Sequence, residues 1–262
     1  MLDRSEGEEV LLEGGNMDSG VVRVGDTVRR RTGPWTPSVH RLLRALESAG
    51  FTGSPRPIGV DDQGREILSY IEGTPVWPHR FDLVRDDDDA LAEIASLIAE
   101  FHRISTTLRP DPQDQWRPEG RDPTDRPEII CHNDLNAWNL IRTRQGWVFI
   151  DWDLAAPGTR LWDIGSAVHT LVPLLHDSGL DTETTARRIK IFADAYGLPP
   201  SQRRPLLDAA IERATRAAQE LQTRSQAGEQ PWVRLASEGH LESWWSMVQH
   251  LTRSVPRWAE MI

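Results

Sequence analysis

The chain has 262 residues, 38% hydrophobic and 27% charged, which excludes a disordered polymer and is long enough for one large domain or two unequal lobes. A formal net charge of −10 argues against nucleic acid, whose binding needs lysine and arginine against phosphates, and is compatible with a cationic small molecule. One cysteine, Cys131, rules out a disulfide framework; with no long apolar stretch and an acidic N-terminus, the cytoplasm is the expected compartment.

Residues 9–13 form a short apolar run that stops at Gly14 and Gly15. Residues 20–24 and 27–31 then alternate about Gly25-Asp26, a two-residue hairpin signal. Thr36-Pro37-Ser38 opens a helix to about Ala49, with Val39, Leu42, Leu43 and Leu46 at helical spacing and Gly50 as its stop. Two further strands, 58–60 and 66–71, flank the polar turn 61–64. After Glu72-Gly73 the character changes. The acidic run 86–89 suits a helix N-terminus, and Leu91, Ile94, Leu97, Ile98 and Phe101 carry that helix to about Ser105. Residues 105–127, rich in Pro, Asp and Arg, read as a loop; 129–151 as short strands and loops; the rest as mostly helical, with breaks at 199–200 and 226–231. The order predicts an α+β chain: a small antiparallel β lobe over residues 1–72 and a larger, mainly helical lobe over 73–262, hinged near 70–73.

The informative segment holds His132-x-Asp134-x4-Asn139, followed twelve residues later by Asp151 between Ile150 and Trp152. Phosphoryl transfer needs one carboxylate to orient the acceptor hydroxyl, and hard oxygen ligands, which Asn and Asp supply, to hold magnesium. A chance match to the first part of this pattern is expected about 0.01 times in such a composition. Three of the four asparagines fall in this one loop, so a simple polar turn does not account for the set.

On these residues the chain resembles the aminoglycoside phosphotransferase family, the protein-kinase-like small-molecule kinases that include choline kinases. The resemblance implies a bilobal kinase-like fold with Asp134 as catalytic base, Asn139 and Asp151 as magnesium ligands, and His132 bracing the loop. Asp163 looks like the family's buried acid that accepts hydrogen bonds from the catalytic-loop backbone; capping the following helix is the other role open to it. The phosphate-covering loop would be residues 14–20, with Gly15 and Ser19 against the nucleotide, and the linker would present backbone groups of Tyr70 and Ile71 to the base. ATP or GTP with Mg2+ is the implied donor. The implied acceptor is a small hydroxyl compound, an aminoglycoside or another amino-bearing molecule. Asp181, Glu183, Glu238 and Glu242 are acidic candidates for its pocket.

The chain departs from that pattern twice. The family's strand lysine, paired with a glutamate on the next helix, is missing: the only lysine is Lys190. Arg30 stands nearest the lysine's place, against the alternative of three solvated arginines on an edge strand, while the helix offers Val39 and His40, with Glu47 two turns too late. Asp153 stands two positions after Asp151, where glycine is common; pairing with an arginine such as Arg160 is its expected role, and adding a carboxylate to the magnesium shell is the other role open to it. These departures keep open a second reading, a nucleotide- or ligand-binding module without catalysis.

Overall fold

The computed structural model describes residues 8–12, 20–108, 111–174 and 178–262. Strands β1 (Glu9–Leu11), β2 (Val22–Val24), β3 (Thr27–Arg31), β4 (Pro57–Val60) and β5 (Arg65–Ser69) form one antiparallel sheet in the order β1-β2-β3-β5-β4. The β2–β3 hairpin turns at Gly25, whose φ of +57° is a conformation a side chain would strain. β3 is central in this sheet, so its arginines do not lie on an edge, and only Arg31 of the three is exposed. Helix α1 (Thr36–Ser48) lies in the connection between β3 and β4 and buries Val39, Leu42, Leu43 and Leu46 at the spacing the sequence predicts. The strand expected to reach Ile71 ends at Ser69, because the Tyr70 N–H turns to the Asp26 carbonyl at 2.9 Å.

The acidic run splits into two short tasks. A one-turn helix α2 (Asp82–Arg85) precedes α3 (Asp88–Ser105), which the Asp87 side chain caps by accepting from the Ala90 N–H at 2.9 Å. Two small sheets follow. β6 (Thr74–Pro75), β8 (Leu140–Arg142) and β9 (Trp147–Phe149) make one, and β7 (Ile129–Cys131) pairs with β10 (Ala156–Gly158) in the other. The remainder is helical: α4 (Arg160–Leu171), α5 (Thr182–Tyr196), α6 (Pro200–Gln226), α7 (Trp232–Ser237) and α8 (His240–Ala259). Gly165 lets α4 and α6 approach closely, since a Cβ there would sit 3.1 Å from the backbone of Ala209.

The hydrophobic core is continuous from α1 through α3 to the strands and helices that follow. Leu43 and Leu46, then Leu91, Ile94, Ile98 and Phe101, then Leu135, Phe149, Trp152 and Ile164 belong to one buried cluster. Tryptophan serves largely as filler: Trp147, Trp152, Trp162 and Trp258 are buried, whereas Trp77 and Trp138 are exposed. Among the described residues no helix is long and apolar enough to cross a membrane.

Candidate functional site

The loop from β7 to β8 is held from beneath by one buried acid. Asp163, in the first turn of α4 and inaccessible to solvent, accepts the backbone N–H of His132 at 2.8 Å and that of Asn133 at 2.7 Å. His102 of α3 donates its Nε2–H to the same carboxylate at 3.0 Å and takes the Tyr196 hydroxyl on Nδ1 at 2.7 Å. Burial works against the charge on Asp163, yet the hydrogen bonds from the His102 ring and the His132 backbone hold its pKa below the ordinary value. The cap of α4 is Thr159, so the backbone-holding role is the one Asp163 performs. The loop itself is bent at Asn133, whose φ of +67° is tolerated by asparagine better than by most residues.

His132 braces the loop as the resemblance implied. Its Nδ1 accepts the Asp134 backbone N–H at 3.2 Å, which leaves Nε2–H to donate to the Ile150 carbonyl, also at 3.2 Å. The ring packs on Trp152, and burial pushes its pKa down, so the neutral imidazole fits both bonds.

Asp134 projects from this loop half-buried. One carboxylate oxygen accepts Asn136 Nδ2 at 2.8 Å; the other accepts Asn139 Nδ2 at 2.7 Å and Trp138 Nε1 at 3.1 Å. Burial raises the Asp134 pKa against the pull of the Trp138 and Asn136 donors, which suits a group asked to take a proton. Asn136 is in turn fixed by Ser166 and Thr170 of α4. Asn139 also donates to the Asp134 carbonyl at 3.0 Å, and its own carbonyl accepts the Ile150 N–H at 2.9 Å. That last bond sets the Asn139 loop beside Asp151. Asp151 has φ +60° and ψ +67°, a left-handed conformation strained for a residue other than glycine, and its side chain is 47% exposed.

These positions are compatible with a magnesium ion. Both Nδ2 bonds of Asn139 go to Asp134, so its Oδ1 is the atom left to face a cation, and Asp151 has one oxygen committed and one open. Among the described residues no group of three or more His, Cys, Asp or Glu is arranged around a metal position. A magnesium site completed by substrate phosphates and water needs only one or two protein carboxylates.

The sheet supplies the cationic side. Arg30 is buried at 7% exposure and touches three carboxylates, one from each part of its guanidinium. Nε donates to Glu66, Nη1 to Asp151 at 2.9 Å and Nη2 to Asp153 at 2.5 Å. Burial disfavours the charge, but Asp153, Asp151 and Glu66 outweigh it and raise the arginine's pKa. Arg29 points to the other face, toward Asp61. The sheet accounts for both departures from the family pattern. The partner acid is absent from α1 because it stands on β5: Glu66 faces Arg30 in the β3–β5 register, and His40 of α1 donates to its second oxygen at 2.9 Å. Asp153 pairs with an arginine as expected, and that arginine is Arg30, with Arg117 at 4.0 Å.

Of the remaining sequence candidates, Gly15 and Ser19 lie outside the described residues. Tyr70 and Ile71 follow β5, with the Tyr70 N–H already taken by Asp26 and its ring covered by the Arg23 guanidinium at 3.8 Å. Asp181 caps α5, Glu183 faces Arg257 and Glu238 pairs with Arg234, so these acids serve the helices that carry them. Sequence reasoning missed Glu66, His102, Asn136 and Trp138. An acid inside an alternating strand, and an indole two residues after a helix-cap type residue in a polar loop, were the available signals.

A model of a family described as the phosphotransferase enzyme family matches residues 113–209, the stretch that carries Asp134, Asn139, Asp151 and Asp163. A trifolitoxin immunity protein from Rhizobium leguminosarum bv. trifolii is 31% identical over 223 residues, covering 81% of this chain and 83% of that protein. Among solved structures, a choline/ethanolamine kinase family protein from Mesorhizobium loti superposes with a TM-score of 0.63 at 17% identity, covering 97% of this chain and 93% of that one. An amicoumacin kinase in complex with AMP-PNP, Ca2+ and its ligand gives 0.65 at 12% identity, covering 94% of this chain and 88% of that one.

Proposed function

Because the chain belongs to the phosphotransferase enzyme family, we propose that it moves the terminal phosphoryl group of ATP or GTP to a hydroxyl of a small, amino-bearing molecule. The observation that carries this reading is the Asp134 carboxylate, half-buried, with a raised pKa and fixed by Asn136 and Asn139 beside the strained Asp151. Asp134 orients the acceptor hydroxyl and takes its proton as the new oxygen–phosphorus bond forms and the bond from the terminal phosphorus to the departing nucleoside diphosphate breaks. Asn139 and Asp151 hold Mg2+, which when bound neutralises charge on the phosphates. Arg30 contacts a phosphate oxygen, Gly15 and Ser19 cover the phosphates, and the Tyr70 carbonyl and Ile71 N–H meet the base.

The acceptor class rests on two supports. The net charge of −10 favours a cationic ligand near the surface. Names of similar proteins include an amicoumacin kinase, a choline/ethanolamine kinase family protein and an immunity protein against trifolitoxin, so amino alcohols and antibiotic-like amines are the first acceptors to screen.

A second reading, a binding module without catalysis, is favoured by one observation: the cation in the lysine's place lies on Asp151 itself. Asp134→Ala separates the two. Melting with ATP and GTP, with and without magnesium, should show a magnesium-dependent rise in both wild type and variant, about 2.7 kcal/mol at a hundred times Kd. Turnover should fall by about 10²–10⁴-fold in the variant alone. Retained turnover would overturn the role of Asp134. Absence of any nucleotide-dependent shift up to millimolar concentration would decide for a module that binds something else.

A further inference from the structure

The two departures from the family pattern meet on one side chain. A lysine offers a single nitrogen; the Arg30 guanidinium offers three, and each has its own carboxylate: Glu66 on Nε, Asp151 on Nη1 and Asp153 on Nη2. Glu66 is 1% exposed and is itself tied to α1 through His40, which is 4% exposed. Asp153 is 5% exposed, and its other oxygen lies 4.0 Å from Arg117. Asp151 alone of the three is open, at 47%. The guanidinium is therefore gripped from the buried side by two acids and meets the solvent-facing acid through Nη1.

We propose that Glu66 and Asp153 are positioning residues that make an arginine, and not a lysine, the phosphate-binding cation of this enzyme. This rests on the reading of the cleft as a nucleotide site. With Nε held by Glu66 and Nη2 by Asp153, only Nη1 is exchanged when nucleotide arrives: it leaves Asp151 for a phosphate oxygen, and Asp151 turns to the metal. The guanidinium stays put while one bond changes partner. An ammonium at position 30 cannot reach three acids at once, so at least one buried carboxylate loses the bond that the guanidinium gives it. The strand glutamate, its histidine and Asp153 thus belong to the arginine as a set.

The test is a double-mutant cycle on Arg30→Lys and Asp153→Asn, read by melting without ligand, by the shift with Mg2+ and ATP or GTP, and by nucleotide KM against kcat. Glu66→Gln, which keeps an acceptor for His40, serves as an independent single variant. In the arginine background Asp153→Asn should raise nucleotide KM about tenfold and leave kcat nearly unchanged. In the Arg30→Lys background the same substitution should reverse sign, raising the melting temperature and lowering KM. Glu66→Gln should behave as Asp153→Asn does, in KM more than in kcat. Additive effects of the two substitutions, or Arg30→Lys at wild-type KM, would overturn the interdependence while the wild-type nucleotide shift stands. A wild type with no shift for either nucleotide would overturn the nucleotide reading and the phosphate role together, whatever the ligand-free cycle shows.

Discussion

Around Asp163 one buried carboxylate is met by two backbone N–H groups of the loop after β7 and by a histidine of α3. Around Arg30 three carboxylates and a guanidinium meet through side chains that come from β3, β5 and the turn after Asp151. The first arrangement shapes a loop: removing the acid would free two peptide groups and let Asp134 drift. The second shapes a charge field: its members hold each other, and the sheet would pair without them. Buried ion clusters of this kind commonly add little to stability compared with apolar substitutes, whereas a buried acid that satisfies backbone donors has no apolar replacement. One region therefore fixes geometry, and the other concentrates charge.

Asp163→Ala is the strongest way to break this contrast, and it should cost on the order of 3 kcal/mol, since three buried donors lose their acceptor. For a chain of this size that is about 6–12 °C in Tm. Turnover should fall with it, because Asp134 follows the loop. The pH dependence fixes the sign. Asp163 has a folded-state pKa below the ordinary carboxylate value, so its contribution is fully present above about pH 4 and is lost as pH falls through the lowered folded value. Wild-type and variant melting curves should converge only in that acid range. Curves that stay parallel down through it would show that Asp163 is not the charged holder of the loop.

Neutralising the other region should do far less to the fold. Arg30→Met with Glu66→Gln and Asp153→Asn removes the buried charges together, leaves His40 an acceptor and releases Asp151 to solvent. The ligand-free Tm should stay within about 1 kcal/mol of wild type or rise, because the desolvation penalty disappears along with the attraction. The shift on adding Mg2+ and nucleotide should vanish. A variant that fails to fold would place the cage among the structural elements and erase the distinction between the two regions.

The same difference explains what could be read from the sequence. His132, Asp134, Asn139 and Asp151 lie within twenty residues and carry rare residue types at fixed spacing, so the loop that gathers them is legible, as are the periodic helices α1 and α3. The Asp163 role was visible because it follows the same segment closely. The Arg30 partners were not. Glu66 is 36 residues away on a strand whose register with β3 only the folded sheet fixes, so no spacing along α1 points to it. Asp153 stands out as a departure, but its partner lies 123 residues away in sequence, beyond the reach of local spacing. His102 has the same difficulty, with 61 residues between it and Asp163. Local patterns specify local geometry; long-range charge pairing needs the topology first.

The smallest effect probes where the two regions face each other, at the Asp134 carboxylate. Trp138 is exposed, yet its Nε1–H rests on the oxygen that also accepts from Asn139. A donor to the charged form lowers a carboxylate's pKa, so this indole offsets part of the rise that burial imposes on Asp134. Trp138→Phe keeps the aromatic ring and removes the donor. Its exposure means Tm should hold, while the acid limb of kcat/KM should move to higher pH by about 0.5 unit, less than one hydrogen bond's full worth because solvent replaces part of it. The plateau above that limb should be unchanged, since the base is then ionised in both forms. A limb that stays in place while KM for the acceptor rises would mean that the indole serves the acceptor and releases Asp134 in the working enzyme. The acidity of the base would then be set by burial and the two asparagines alone.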